Sequence, residues 1–89
     1  MSDLSPELQL AFDRAVAQSK QLPQRPDNPT LLQLYALFKQ ASEGDVDGER
    51  PGALDFVAAA KWNARDALRG VSAAEAARRY IALVDGLRI

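Results

Sequence analysis

Residues 31–41 read LLQLYALFKQA, a run in which large apolar and aromatic side chains recur at helical spacing. On a helical wheel of ~100° per residue these side chains cover roughly 220° of arc, whereas a helix that packs on one core needs little more than ~100°. The excess width has two interpretations. The helix is either central and packed against two neighbours, or part of its apolar face lines a groove. The large side chains are Leu31, Leu32, Leu34, Tyr35, Leu37 and Phe38.

Lys39 lies at the edge of this apolar arc, four residues after Tyr35, so the two side chains are neighbours on a helix. A cation beside an aromatic and aliphatic wall suits a ligand with a phosphate, a flat ring and an apolar tail. The alternative is a lysine whose stem merely covers apolar surface. Trp62 is interpreted as a wall of the core or of the groove, and Tyr80 as a buried ring. Lys20 ends the first predicted helix, where a cation complements the helix dipole.

Start and stop signals place this run in the second of four predicted helices. A Ser followed by Pro is typical of a helix start, Ser72 and Glu75 fit a capping box, and Pro23 and Pro26 interrupt helical structure. No segment alternates long enough to predict a strand, so we expect an all-α four-helix bundle. The predicted helices run from Ser5-Pro6 to about Gln21, from Asn28-Pro29 to about Ser42, from Leu54 to Leu68 before Gly70, and from Ser72 through an apolar stripe that reaches Leu87.

Composition excludes several classes of function. The 89 residues predict a single domain, 1–89, and they include 11 Lys and Arg, 12 Asp and Glu, no Cys and no His. A net charge of −1 argues against nucleic acid, and the missing thiol and imidazole remove the usual nucleophiles, general bases and metal ligands. The acidic loop 43–49 fails the EF-hand spacing. We therefore expect binding without catalysis, and no metal or cofactor.

The sequence also predicts where the protein works. The first residues lack the basic and apolar regions of a signal peptide, and the longest apolar run, 56–60, is too short for a membrane helix. We expect a cytoplasmic protein with no integral membrane segment. No sustained heptad pattern predicts a coiled-coil partner, so a monomer is expected.

Several blocks, taken in order, resemble the acyl-CoA-binding protein family over nearly the whole chain, from Phe12 to Leu87. The composite of Tyr-x-x-Phe-Lys-Gln-Ala, Glu-Arg-Pro-Gly and Ala-Lys-Trp is far more specific than any one block. The resemblance implies an up-down-down-up four-helix bundle that carries medium- to long-chain acyl-CoA esters unchanged and delivers them to acyl-CoA-using enzymes. The blocks are residues 34–41, Gly44-Asp45, Arg50-Pro51-Gly52, Asp55-Phe56 and Ala60-Lys61-Trp62.

The resemblance also implies roles for particular residues. Tyr35 corresponds to the aromatic that stacks on the adenine region, and Lys39 to the cation that meets the ribose 3′-phosphate. Lys61 matches a second phosphate or adenine contact. Residues with further implied contacts are Lys20, Phe38 and Tyr80 at the nucleotide, and Leu31 and Leu32 in the acyl channel, with Val16 and Ala60 as additional contributors.

The sequence departs from the family at three positions. Phe38 replaces a frequent Tyr, Val57 replaces a frequent Lys, and Arg65 replaces a second aromatic of the third helix. These departures bear on the strength of headgroup binding. Two other hypotheses stay open: a helical module whose groove takes a partner helix, and an enzyme that processes acyl-CoA.

Overall fold

The computed structural model of the protein describes residues 4–89, in which every element of regular secondary structure is an α-helix. Residues 1–3, the beginning of the segment interpreted as lacking a signal peptide, lie outside the described residues. The predicted all-α class is confirmed. Within residues 4–89, no helix has both the length and the apolar character needed to span a bilayer. The helices are α1 (Pro6–Ser19), α2 (Asn28–Glu43), α3 (Phe56–Asp66) and α4 (Ala73–Leu87).

Each helix begins at a side-chain oxygen that accepts a hydrogen bond from a backbone N–H in the first turn, which satisfies a donor that would otherwise lack a partner. The predicted caps at Ser5 and Ser72 are confirmed. Of the predicted capping box, the hydrogen bond from the Glu75 N–H to the Ser72 hydroxyl forms, whereas the Glu75 carboxylate pairs with Arg79 instead of the Ser72 N–H. The acceptors and donors are Ser5 and Leu8 (3.1 Å), Asp27 and Thr30 (2.9 Å), Asp55 and Ala58 (3.2 Å), and Ser72 and Glu75 (3.1 Å).

The observed helix ends differ from the predicted ones by one or two residues. Helix α1 stops at Ser19 rather than Gln21. Asp27, not Asn28, caps α2, because the Asp27 carboxylate reaches the Thr30 N–H. Helix α3 spans only Phe56–Asp66, since Asp55 caps it and residues 67–70 form a turn rather than a last helical turn.

The core lies where α4 packs against α1 and α2. Ala76 and Ala77 of α4 are completely buried, and their small side chains permit close approach of the helices. The Phe12 ring stacks on Phe38 at 5.9 Å between centroids and meets the edge of Tyr80 at 5.2 Å. The predicted burial of the Tyr80 ring is therefore confirmed. Other core members are Ala15, Leu34, Leu37, Ala41 and Val84.

Helix α2 is central, because it packs against α4 on one side and α3 on the other. Among the described residues, α3 contacts no other helix and contributes no buried residue. Both interpretations of the wide apolar arc are thus correct for different parts of it. Leu34 and Leu37 face the core, while Leu31, Leu32 and Tyr35 lie along an open groove against α3.

The Gln40 side chain connects α2 by hydrogen bonds to the loop that follows it and to the loop before α4. Gln40 is 1% exposed, and its Nε2 donates to Asp45 Oδ1 and to the Val71 carbonyl, both at 2.8 Å. The same Asp45 oxygen accepts from the Gly70 N–H at 2.8 Å, in a turn where Gly70 has a φ of +87°. These hydrogen bonds, that from Gln40 foremost, lower the pKa of Asp45. The acidic loop is therefore anchored through Asp45 and the buried Val46, not merely solvated.

Candidate functional site

The groove between α2 and α3 has a volume of about 460 Å³ and a mainly apolar lining. Helix α2 provides one wall and α3 the other, because α2 is the only helix of the described bundle against which α3 packs. Phe56 and Val57, at the start of α3, remain 77% and 67% exposed at its rim. We call this the α2–α3 groove; its lining residues are Arg25, Asn28, Leu31, Leu32, Tyr35, Phe56, Val57, Ala60 and Lys61.

A second cleft of about 340 Å³ opens between α1, α2 and α4 and includes residues of the α1–α2 link. It shares Leu31 and Tyr35 with the α2–α3 groove, so the two spaces adjoin along one face of α2. An extended ligand could therefore occupy both at once. We call this the α1–α2–α4 cleft; its lining residues are Val16, Ser19, Lys20, Leu22, Pro26, Leu31, Leu34, Tyr35, Phe38 and Tyr80.

Tyr35 is the structural centre of the site, because its ring borders both spaces and two lysines approach it. The Lys61 ammonium lies 5.1 Å from the ring centroid and the Lys39 ammonium lies 6.0 Å from it. Both distances fall within the range of a cation–π interaction. Two positive charges beside one aromatic wall could hold an anionic group together with a flat ring.

Lys39 does not line either space, although the sequence correctly placed it beside Tyr35. Its ammonium donates a hydrogen bond to Glu43 Oε2 at 2.9 Å. That hydrogen bond and the positive charge of Lys39 lower the pKa of Glu43, and the charge of Arg65 adds a smaller contribution. Lys39 is therefore a cation that already has an internal carboxylate partner.

Arg65 belongs to the same charged group, and sequence reasoning recorded it only as a missing aromatic. Its Nη2 lies 3.9 Å from Glu43 Oε1 and donates to the Gly44 carbonyl at 3.4 Å. The Arg65 side chain is 14% exposed, and its Nε is buried without a protein partner. The i, i+4 spacing in the sequence could have predicted the ion pair between Lys39 and Glu43, but the approach of Arg65 depends on how α3 packs on α2.

A smaller cavity of about 230 Å³ lies on the other side of Lys61 and Tyr35, between α3 and the loop before it. Trp62 lines it, so this ring is a wall of this separate cavity and not, as predicted, of the core or of the α2–α3 groove; the Trp62 Nε1 is buried without a protein partner. Arg65 and Asp47 also contribute to the lining. This cavity places the Trp62 and Arg65 side chains, both hydrogen-bond donors, close to Lys61.

The structure therefore brings most of the predicted residues together in two adjoining spaces. Leu31, Leu32, Tyr35, Ala60 and Lys61 line the α2–α3 groove. Val16, Lys20, Phe38 and Tyr80 line the α1–α2–α4 cleft. The prediction missed Arg25, Asn28 and Phe56. Asn28 shares one face of α2 with Leu31 and Tyr35, so helical spacing could have revealed it, whereas Arg25 and Phe56 come from the link and from the start of α3.

Two further observations on the described residues concern a separate cleft and the grouping of possible metal ligands. A larger cleft of about 770 Å³ lies where residues 41–45 and 70–73 meet; its lining includes Glu43, but neither Tyr35 nor any lysine. Within residues 4–89 there is no group of three or more His, Cys, Asp or Glu side chains that could hold a metal ion.

Comparison with known proteins gives a consistent result. The family model described as "Acyl CoA binding protein" matches residues 9–84. The "Acyl-CoA-binding protein homolog" of Drosophila melanogaster is 47% identical over 76 residues, which cover 85% of this chain and 88% of that protein. The acyl-CoA-binding protein of Saccharomyces cerevisiae is 43% identical over 76 residues, covering 85% and 87% of the two chains.

Solved structures show the same likeness in three dimensions. The crystal structure of acyl-CoA-binding protein 2 from Oryza sativa superposes with a TM-score of 0.84 and 39% identity, covering 90% of this chain and 89% of that one. The crystal structure of ACBP from Moniliophthora perniciosa gives a TM-score of 0.79 and 36% identity, covering 92% of this chain and 78% of that one. The fold predicted from the resemblance is thereby confirmed. On both sequence and structure, this chain belongs to the acyl-CoA-binding protein family.

Proposed function

We propose that this protein binds medium- to long-chain fatty acyl-CoA esters and carries or buffers them without changing them. One observation carries the proposal: an apolar groove ends at an aromatic wall, Tyr35, that two lysines approach within 5.1 and 6.0 Å. An acyl-CoA joins an alkyl chain to a phosphate-rich nucleotide, so one ligand satisfies both halves of the site. The family of this chain supports the same ligand.

The acyl chain would lie in the α2–α3 groove against Leu31 and Leu32, with Ala60 opposite. Burial of apolar surface contributes ~0.8 kcal/mol per methylene, so ten methylenes would supply ~8 kcal/mol before the costs of association. Each further methylene that enters the groove should therefore tighten binding roughly fourfold. The exposed Val57 and Phe56 at the rim offer apolar surface to a longer chain.

The nucleotide would lie at Tyr35, where the α1–α2–α4 cleft adjoins the α2–α3 groove and the two lysines approach the ring. We assign Tyr35 to stacking on the adenine region, Lys39 to the ribose 3′-phosphate, and Lys61 to a second phosphate or adenine contact. Charge-assisted hydrogen bonds from these ammonium groups would add both affinity and orientation. The cleft would add Lys20, Phe38 and Tyr80 as nucleotide contacts, while Val16, which also lines it, would contribute to the acyl channel.

The chemistry of the side chains supports binding without turnover. The chain has no Cys and no His, so it offers neither a thiolate to attack the thioester nor an imidazole to activate water. We propose that residues 1–89 act as one acyl-CoA-binding domain, as a cytoplasmic monomer without a cofactor. Its cargo would pass to acyl-CoA-using enzymes.

Titration calorimetry with palmitoyl-CoA and with free CoA tests the proposal. Palmitoyl-CoA should bind much more tightly than free CoA, because only the thioester places an alkyl chain in the groove. Absence of binding at micromolar palmitoyl-CoA would refute the proposed function. Hydrolysis of palmitoyl-CoA during incubation would refute binding without turnover.

The open groove and its exposed rim also favour a second candidate, in which the groove receives an amphipathic helix of a partner protein. The two candidates differ in competition. A copurifying partner that excess palmitoyl-CoA fails to displace would support the helical module. Displacement of that partner by the ligand would support the carrier.

A further inference from the structure

Glu43 is a carboxylate at a helix end that does not by itself favour a negative charge. It is the last residue of α2, where the partial negative charge of the helix dipole repels a carboxylate. The order of the pair, Lys39 before Glu43, is also the less favourable orientation for an i, i+4 ion pair. The carboxylate is therefore held by the neighbouring cations Lys39 and Arg65 rather than by its position in the helix.

Lys39 is the cation on which this carboxylate acts. Its ammonium is held 2.9 Å from Glu43 Oε2 while it lies 6.0 Å from the Tyr35 ring. The Lys39 side chain is 30% exposed, so an anion can reach it from solvent. A phosphate that approaches Lys39 must either displace the Glu43 carboxylate or accept a second negative charge beside it.

We infer that Glu43 is an affinity-setting residue of the headgroup site, an internal carboxylate that competes with the ligand's phosphate for Lys39. The inference rests on the proposed function and adds to it a residue that weakens binding. Removing the negative charge at position 43 leaves Lys39 fully available, so binding tightens. The expected gain is about two- to fivefold, because exposed ion pairs of this kind are weak and screened by water.

Arg65 gives the displaced carboxylate a second partner. Its Nη2 lies 3.9 Å from Glu43 Oε1, whereas Lys39 contacts the other carboxylate oxygen, Oε2. When a phosphate takes Lys39, the Glu43 carboxylate remains neutralised by Arg65. The exchange therefore costs less than stranding a free carboxylate, and Glu43 moderates the affinity rather than abolishing it.

The test compares Glu43→Gln with a matched control, Glu75→Gln. Glu75 also carries one negative charge and makes an i, i+4 pair, with Arg79 at 2.8 Å, but its pair lies on α4 and does not include Lys39. Calorimetry with palmitoyl-CoA at one pH and low salt should give a Kd two- to fivefold lower for Glu43→Gln. The Kd of Glu75→Gln should equal that of the wild type.

A double-mutant cycle then tests the route through Lys39. In a Lys39→Met background, Glu43→Gln should lose its gain, because no ammonium is left to release. A gain of equal size in that background would overturn the inference, as would equal gains from Glu43→Gln and Glu75→Gln.

Failure of the inference is distinguishable from failure of the proposed function. If the wild type binds palmitoyl-CoA and Glu43→Gln binds it no better, the competition is refuted and the carrier function stands. If neither the wild type nor Glu43→Gln binds the ligand, both are refuted.

Discussion

Replacing Lys39 by Met separates its role in binding from its role in the fold. Methionine keeps the unbranched apolar stem and a high helix propensity, so the substitution removes the charge with little change in shape. The charge makes one partly exposed ion pair, with Glu43 at 2.9 Å, and it lies 6.0 Å from the Tyr35 ring. The perturbation is thus confined to electrostatics at one edge of the site.

The expected consequences for binding and stability are very different in size. A hydrogen bond from an ammonium to a phosphate contributes about 1.5–3 kcal/mol, so its loss should weaken palmitoyl-CoA binding roughly tenfold to 150-fold. The pair with Glu43 is screened by water and should contribute little to folding. The melting temperature without ligand should therefore fall by no more than a few degrees.

Calorimetry with palmitoyl-CoA and thermal unfolding of the same preparations provide the two measurements. The matched control is Arg79→Met, which removes an equally positive charge from an i, i+4 pair on α4, away from the cavities of the site. If both variants lose binding equally, the effect is one of net charge. If Lys39→Met loses stability in proportion to binding, Lys39 is a structural residue and the proposed role is wrong.

Three further predictions concern stability. Ser72→Ala removes the cap of α4 and should lower the free energy of unfolding by about 0.5–2 kcal/mol in urea titrations, and an unchanged midpoint would contradict the role of the 3.1 Å bond to Glu75. Gln40→Leu should cost about 1–3 kcal/mol in the same assay, because the Val71 carbonyl loses a buried donor, and a neutral result would mean that water replaces it. The lowered pKa values of Asp27, Glu43 and Asp45 mean that their stabilising contribution is complete above their ordinary pKa and is lost as the pH falls through their lowered values. Urea titrations should give a lower free energy of unfolding at pH 3 than at pH 6, and the decrease should be smaller for Asp45→Asn than for the wild type. Equal decreases in the two proteins would contradict the contribution of Asp45.

Local chemistry explains why the helices were predictable. A Ser before the first turn satisfies a backbone donor within three residues, so the caps at Ser5 and Ser72 depend on no distant part of the chain. The start of α2 was misplaced because two adjacent residues could serve as its cap. Asp27 and Asn28 both have capping side chains, and only the path of the link decided that Asp27 faces the Thr30 N–H.

The candidate site was predictable where its residues share one helix. Tyr35 and Lys39 are neighbours through helical geometry alone, and the Lys39 ammonium lies 6.0 Å from the centroid of the Tyr35 ring. Lys61 comes from another helix, and its position beside Tyr35 was implied only by family resemblance. The contacts of Arg65 with Glu43 and Gly44 were not predicted, because they span 21 or more residues and require α3 to lie along α2.

The amino-acid pattern by itself determined four amphipathic helices, their caps and an α2 with more apolar surface than one neighbour can cover. These properties depend on spacings of three or four residues, which are the same in any packing of the chain. Only the tertiary structure decided how that surface is divided between a core against α4 and an open groove against α3. It also decided that Lys61 and Arg65 arrive beside the Tyr35, Lys39 and Glu43 of α2. Contacts between helices depend on how whole faces pack, and a one-dimensional pattern does not specify which faces meet.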